Sequence, residues 1–433
     1  MAPEAPAGAH QPARVAFRTL GCKVNQVEAE SVAAALIGWG AEVVAQQDAD
    51  VVVITTCTVT GEADHKARKA IRHALALPRS PVVVVTGCLA AVDDGALAGL
   101  GDRVVVEADT AAVAARVRDL LHVNAASAPV TRTGEGFHTR AMVKVEDGCD
   151  NFCSYCIVPY ARGVPRSTPR EAIVAEVEAL VARGAREVVL TGINIGRYAD
   201  GDAGGAGGPT GAADGATRLP DLIRAVAATG IERIRLSSIE PEHVDEELLL
   251  AITATPAFCE HLHVPLQSGC DRTLAAMGRR YDAAAYEAIV ARAREAIRGL
   301  ALSTDVIVGF PGETDADAAE TLALLERVGF AKLHVFRYSP RAGTPAAARE
   351  DCVDPRVIAA RAADVRELGD RMRLERLHSH IEDTLEVLVE RPGEGVARDG
   401  SRVRFSSART ASGSLIRVTI AGVDAQGLAL TEW

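Results

Sequence analysis

Aromatic residues make up only 4% of this 433-residue chain, which has two Trp and four Met. Its 48% hydrophobic content is therefore largely aliphatic, and any core has to be built from small and branched side chains. No apolar run approaches the ~20 residues that a membrane-spanning helix needs, so no membrane partner is expected. The opening "MAPEAPAGAHQPAR" lacks the apolar segment of a signal peptide and reads as a disordered leader over 1–13. Positive charge is also short: 47 Lys and Arg stand against 58 Asp and Glu, for a net charge of −11. A basic footprint for nucleic acid, if there is one, must be local. A second Cys-x2-Cys knuckle is missing too, and most structural zinc sites need one to close four ligands.

What the chain does have is cysteine, nine in all. Without a secretory segment they are expected to stay reduced in the cytosol, available for metal or redox use. Three lie in one run, "EDGCDNFCSYCIVPYARG": Cys149, Cys153 and Cys156, spaced Cys-x3-Cys-x2-Cys. Iron–sulfur clusters are held by thiolates, normally four. A triad with no nearby fourth member points to a four-iron cluster with one iron left open for a substrate or cofactor. A closed zinc site is the alternative, and the ligand count argues against it.

A chain this long calls for more than one core. Valine-rich strands ("RVAFRTLG", "ADVVVITT", "PVVVVTG", "DRVVVEA") alternate with helices over 26–38 and 62–75, the pattern of a buried parallel sheet in an α/β domain over 14–123. Cys22, Cys57 and Cys88 each fall at or just past the carboxyl end of a strand, the edge where open α/β sheets form sites. They can converge on a second cluster, or they are three buried structural thiols. Residues 124–136 read as a linker. Over 137–375, strands at 141–146, 187–191, 233–237, 261–264, 301–308 and 333–336 alternate with helices such as 169–183 and 282–298, which suggests six β/α units. The Cys149 loop follows the first of these strands, on the face where barrel active sites form. A glycine-rich stretch, 199–217, reads as a surface loop. Residues 376–433 alternate at period two between glycine turns and read as a small antiparallel β-domain, in which Arg398, Arg402 and Arg404 offer either phosphate contacts or a plain solvated face.

With these features in place, the chain resembles a family. The cysteine loop with Tyr155 before its last cysteine is similar to the signature of radical S-adenosylmethionine (SAM) enzymes. "CSYCIVPYARGVPRS", "HLHVPLQSGCDRTLAAM", "STDVIVGFPGETDAD" and "HVFRYSPRAGTPAA", in that order, resemble the methylthiotransferases, which modify tRNA bases or one ribosomal protein. The resemblance runs from about residue 15 onward. It implies a partial (β/α)6 radical SAM barrel and a C-terminal module similar in placement to the TRAM domain. It also implies SAM and two 4Fe-4S clusters as cofactors, with sulfur carried on the auxiliary cluster at Cys22, Cys57 and Cys88. tRNA is the implied partner and a flavodoxin- or ferredoxin-like protein the electron donor; a monomer is expected.

The target in the tRNA subfamily is an adenine C2–H, beyond the reach of acid–base chemistry, so a cofactor has to supply the reactivity. For SAM itself the implied contacts are Gly192 and Asn194 in "LTGIN", Ser238 and Glu240 in "SSIEP", and Asp305 and Gly309 in "TDVIVGFPGE". Each of these also has an ordinary structural use as a turn glycine or helix cap. Arg68, Lys69 and Arg72 lie on a helix just after Cys57, where an RNA backbone would approach, or else they line a solvated amphipathic face. Cys259, Cys270 and Cys352 are isolated and read as structural or incidental thiols, with Cys270 set apart because "PLQSGC" lies at a barrel strand end. "TLGCKVNQ" and "HVFRYSPRAGT" most resemble the type acting on N6-threonylcarbamoyladenosine. The isopentenyladenosine type is the near alternative and the ribosomal-protein aspartate type a more distant one. A non-catalytic cluster carrier and a structural RNA-binding module are the readings from other classes.

Overall fold

The computed structural model describes residues 12–121, 139–201, 217–406, 410–424 and 428–430. Most of the expected leader, the whole of the 124–136 linker and the centre of the glycine-rich stretch lie outside them. The chain forms two compact units, 1–136 and 137–433.

In the first unit, β1 (Arg14–Thr19), α1 (Lys23–Gly38), β2 (Glu42–Val43), β3 (Val51–Thr56), α2 (Gly61–Leu75), β4 (Val82–Gly87), α3 (Cys88–Ala91), β5 (Val104–Val106) and α4 (Val113–Leu121) follow in order. The strands pair in parallel in the order β2-β1-β3-β4-β5. β3 is buried along its whole length, as a strand covered on both faces must be, and that is why its sequence is a continuous apolar run rather than an alternation. Val32 and Leu36 of α1 pack with Val113 and Val117 of α4. Ala67, Ile71 and Ala74 of α2 pack with Val52, Ile54, Val83 and Val85 in a separate core cluster. The start of α2 is set by Thr60, whose hydroxyl accepts from the Ala63 amide at 3.2 Å, a cap worth about 1 kcal/mol.

The second unit holds six parallel barrel strands: β6 (Ala141–Lys144), β7 (Glu187–Thr191), β8 (Arg233–Leu236), β9 (His261–His263), β10 (Ala301–Val308) and β11 (Lys332–Arg337). β6-β7-β8 and β9-β10-β11 form parallel ladders. Bridges from Ile234 to Phe258 and from Ser238 to His263 join the two halves. No pairing between β6 and β11 occurs among the described residues, so the barrel is open on one side. The expected first strand, 141–146, is shorter than its pattern. After Lys144 the chain turns, and Glu146–Asp147 pairs antiparallel with Arg166–Ser167, closing the cysteine loop at its neck.

A long helix, Pro355–His378, packs against β11 and leads into the C-terminal strands. Thr384–Arg391, Glu394–Ala397, Arg402–Arg404, Leu415–Val423 and Leu428–Leu430 close into a barrel around Val387, Val389, Val403, Val418 and Ile420. All its pairings are antiparallel except Arg402–Arg404 with Leu428–Leu430. This barrel sits against the amino ends of the large barrel's strands. There Arg233 and Arg235 bracket the fully buried Glu187, at 2.8 Å each, and donate on to the carbonyls of Val396 (3.2 Å) and Ala397 (2.7 Å). Arg398 is bound by Glu260 at 3.0 Å and by the carbonyls of Pro256 and Phe258. It joins the two barrels and is not a free phosphate contact. Arg402 and Arg404 are exposed but face Glu394 and Asp424. No helix among the described residues is long and apolar enough to cross a membrane.

Candidate functional site

The barrel site begins at the carboxyl end of β6. The cysteine loop is fixed on its inner side. Ser154 donates from its amide to Met277 O at 2.9 Å and from its hydroxyl to Ala276 O at 2.8 Å, while its own carbonyl accepts from Ala346 N at 2.8 Å. A turn from Cys156 N to Cys153 O, at 2.9 Å, brings the last two cysteines to neighbouring positions. None of the chain's cysteines is in a disulfide.

Two side chains from distant segments reach the thiols. Arg279 donates through Nη1 to Cys153 Sγ at 3.2 Å, forms an ion pair with Glu240, and lies over the Tyr281 ring at 4.9 Å. Asn194 Nδ2 stands 3.9 Å from Cys149 Sγ. Burial, with the neighbouring cysteines adding to it, pushes the Cys149 thiol up to about 11 and the Cys156 thiol up to about 12. Left alone, both are neutral at physiological pH; a coordinated metal deprotonates such a thiol outright. Among the described residues no three His, Cys, Asp or Glu side chains gather closely enough for a single metal ion. The donor set and the buried, unpartnered Asn194 Oδ1 together suit a cluster with a polar ligand beside it.

The other expected SAM contacts fall around the same mouth, in different settings. Tyr155 packs against Met277, Phe310 and Ala346. Gly192 lies against Glu146: a Cβ there would meet the carboxylate at 2.8 Å. Its amide donates to Ser237 Oγ at 3.3 Å. Ser238 bridges to β9, and Glu240 is held by Arg279, although burial still raises its carboxyl above the ordinary range. Asp305 meets His263 Nε2 at 3.2 Å, and the other ring nitrogen of His263 faces Ser303 at 2.9 Å. Gly309 donates to Glu313 at 2.6 Å and lies so near Ile358 that a Cβ would come within 2.3 Å. Its glycine is accounted for by that helix contact.

Sequence reasoning passed over two residues. Arg279, in "GRRYD", is 126 positions from Cys153. Glu146 is 1% exposed, accepts from Asn194 N at 2.8 Å, and keeps Oε1 without a partner. Burial pushes its carboxyl up to about 8. The amide bond orients the "TGIN" turn that carries Asn194 to Cys149. Cys270 is buried and donates to Asp317 Oδ1 at 3.1 Å, a structural bond.

In the first unit, the three strand ends converge. Gly21 and Gly87 immediately precede Cys22 and Cys88, and both have positive φ, +113° and +91°. A Cβ on Gly21 would sit 2.6 Å from Cys57 Cβ, and one on Gly87 would sit 2.4 Å from Thr56 O. Only glycine lets these backbones approach so closely. Asn25, fully buried, ties the edges by donating to Leu20 O at 2.8 Å and Thr56 O at 3.0 Å. Cys57 and Cys88 are buried and Cys22 is exposed. On α2, Lys69 and Arg72 are exposed and Arg68 half-buried, and none of the three has a carboxylate partner among the described residues; the neighbouring Lys66 is paired with Glu62 at 2.6 Å.

Comparison with known proteins agrees with this division. Residues 143–325 match the Radical SAM superfamily and residues 14–106 match the uncharacterized protein family UPF0004. The chain is 36% identical to the threonylcarbamoyladenosine tRNA methylthiotransferase MtaB of Chlamydia pneumoniae, over 94% of this chain and 96% of that one. It is 35% identical to the Bacillus subtilis protein of the same name, over 87% and 85%. It is also 35% identical to the tRNA-2-methylthio-N(6)-dimethylallyladenosine synthase of Parafrankia sp., over 94% and 84%. Among solved structures it is similar in fold to the radical S-adenosylmethionine methyltransferase TsrM of Kitasatospora setae, with a TM-score of 0.56 and 16% identity over 78% of this chain and 77% of that one.

Proposed function

This chain belongs to the radical SAM methylthiotransferase family, and on that footing we propose that it attaches a methylthio group to C2 of N6-threonylcarbamoyladenosine, next to the anticodon of tRNA. As a member of the family it is an enzyme that uses SAM and a four-iron cluster. The observation that carries the proposal is the pair of cysteine triads, each placed at strand ends within its own matched domain.

Cys149, Cys153 and Cys156 would hold the SAM-binding cluster, and Cys22, Cys57 and Cys88 the auxiliary one that serves as the sulfur platform. When bound, SAM and the reduced cluster supply a 5′-deoxyadenosyl radical, a species strong enough to activate an aromatic C–H bond. The protein's own part is positional. Arg279 places a cation against the Cys153 sulfur, where a charge-assisted hydrogen bond would steady a cluster held by thiolates. Glu146 holds the turn that presents Asn194, whose unpartnered Oδ1 can accept from an ammonium group such as that of SAM. Glu240 and Asp305 add acceptors at the same mouth for a ribose or a base.

The threonylcarbamoyl assignment rests on relatives of that name and on "TLGCKVNQ". The dimethylallyladenosine synthase at 35% identity supports a second reading, in which the substrate is isopentenyladenosine. A flavodoxin- or ferredoxin-like donor, a monomeric state and a cytoplasmic location complete the proposal. Mass spectrometry of tRNA nucleosides from a deletion strain tests it. Loss of methylthiolated threonylcarbamoyladenosine, restored by this gene, is expected. Loss of the methylthiolated isopentenyl nucleoside alone would move the enzyme to the second reading, and loss of neither would overturn both.

A further inference from the structure

We infer that the outward face of the cysteine loop, formed by Phe152 and Tyr160 with Arg166 at its neck, is a stacking surface for unpaired bases of the RNA substrate. The inference rests on the proposal that the substrate is an RNA. Phe152 is 56% exposed, Tyr160 53% and Val164 61%, and the first two, whose rings touch, face water together. Contiguous exposed apolar surface of this kind marks interaction sites.

The backbone shows that the exposure is built in. Phe152 has φ +46°, the left-handed region that a bulky side chain occupies only under strain. Cys153, its neighbour, is 8% exposed. The twist at position 152 turns the cysteine in and the ring out. Asn or Gly would serve that backbone at less cost, so the ring is there for what it touches. The two rings meet edge to face, with centroids 5.7 Å apart and planes at 82°, which leaves ring faces free for a planar partner. The loop's inner side is already committed through Ser154 to Met277, Ala276 and Ala346, and only the outer side is open.

Charge selects the partner. Arg166 is exposed; its guanidinium donates to Arg162 O at 3.3 Å and has no carboxylate partner among the described residues. Arg162 and Arg197, by contrast, are neutralised by Asp147 and Asp150. Aromatic faces beside an uncompensated arginine match a polyanion whose units are themselves flat. Single-stranded RNA loops are recognised by splaying bases onto such rings, with cations tracking the backbone.

The test uses the full chain with both clusters reconstituted and an anticodon stem-loop RNA, with binding followed anaerobically by fluorescence anisotropy. Phe152→Ala and Tyr160→Ala are each expected to weaken binding about 5- to 150-fold, the range for loss of one stacked base. Tyr160→Phe and Tyr160→Trp keep a ring face and should bind as the parent does. Arg166→Gln should lower the logarithmic salt slope by about one. Iron content and dithionite-driven SAM cleavage without RNA should not change. Should Phe152→Ala lose iron, Tyr160, four residues beyond the last cysteine and outside the metal-binding turn, decides the matter. Unchanged RNA affinity in iron-replete Tyr160→Ala would overturn the inference. So would a defect seen only when a protein reductant replaces dithionite, which would assign the surface to the electron donor. A parent protein that binds no RNA would overturn the substrate proposal itself.

Discussion

Arg279 and Cys153, 126 residues apart, meet at 3.2 Å through a guanidinium nitrogen and a sulfur. The same guanidinium forms the ion pair with Glu240. Arg279→Met would leave Glu240 buried without its cation, and removing one partner of a buried pair costs about 3–5 kcal/mol. Arg279→Lys keeps the charge but not the fork that serves both groups, and should lose less. Urea unfolding of the iron-free protein measures the difference; equal stability of parent and Met variant would refute the pairing.

The two triads predict separable iron. Replacing Cys149, Cys153 and Cys156 with Ala should remove about half the iron, as expected when thiolates are the ligands, and abolish SAM cleavage. Replacing Cys22, Cys57 and Cys88 should remove the other half and leave 5′-deoxyadenosine production measurable, while methylthiolated product disappears. Product formation surviving in the second variant would rule out the auxiliary site.

Gly87 and Gly40 share a positive φ, +91° and +88°, but differ in what a methyl group would meet: Thr56 O at 2.4 Å for Gly87, nothing within 4 Å for Gly40. Gly40→Ala should cost about 1–2 kcal/mol from backbone strain alone. Gly87→Ala adds a collision with backbone that holds Cys57 beside Cys88, and should cost about twice as much or more while lowering auxiliary iron. Thermal denaturation and iron analysis of the two variants give a direct comparison. Similar losses in both would show that the close approach is unimportant.

Stability should depend on pH through His380 and Asp399, 2.9 Å apart. The hydrogen bond that His380 donates to Asp399 raises His380 above its ordinary value near 6.5. Burial works against ionised Asp399, but His380 and Arg376 together hold its carboxyl well below 3.8. The histidine's contribution is full below about pH 6.5 and is lost as pH rises through its raised value; the carboxylate's is full above about pH 4 and is lost in stronger acid. Denaturation midpoints should fall above neutrality, and His380→Gln should remove that alkaline decline. A His380→Gln profile with the parent's slope above pH 6.5 would contradict the pairing.

Charge reversal at Arg68, Lys69 and Arg72 should weaken tRNA binding and flatten its salt dependence, because each lost phosphate contact removes about one unit of logarithmic slope. RNA-free SAM cleavage should be unaffected. If tRNA affinity does not move, the helix is simply a solvated face.

Much of the scaffold was legible in the sequence. The strands at 187–191 and 301–308 are found where their patterns place them, since a strand covered by helices needs unbroken β-branched residues whatever else it does. Helical spacing turns Ala67, Ala70, Ile71 and Ala74 of α2 toward the sheet, and there Ala67, Ile71 and Ala74 are buried while Ala70 is half-buried. Legibility failed where a polar side chain faces protein and not water. The expected strand 233–237 gives no local sign of a partner for Arg233 or Arg235, yet both are buried on Glu187. Arg398 fails the same way, because nothing local announces Glu260. Glu146 ends the expected strand 141–146, and only the turn 48 residues away that it braces explains its burial.

The Arg233–Glu187–Arg235 cluster also bears on how such a gene can be cut and rejoined. Its hydrogen bonds end on the main-chain carbonyls of Val396 and Ala397, so any strand of the right course can satisfy them, whatever its side chains. A graft from a relative would be accepted if it brought that course, while a truncation before residue 384 would strand two guanidiniums at the foot of the barrel. Val396 and Ala397 can therefore change their side chains and still be indispensable in presence, whereas Arg398 beside them is held by its own side chain on Glu260.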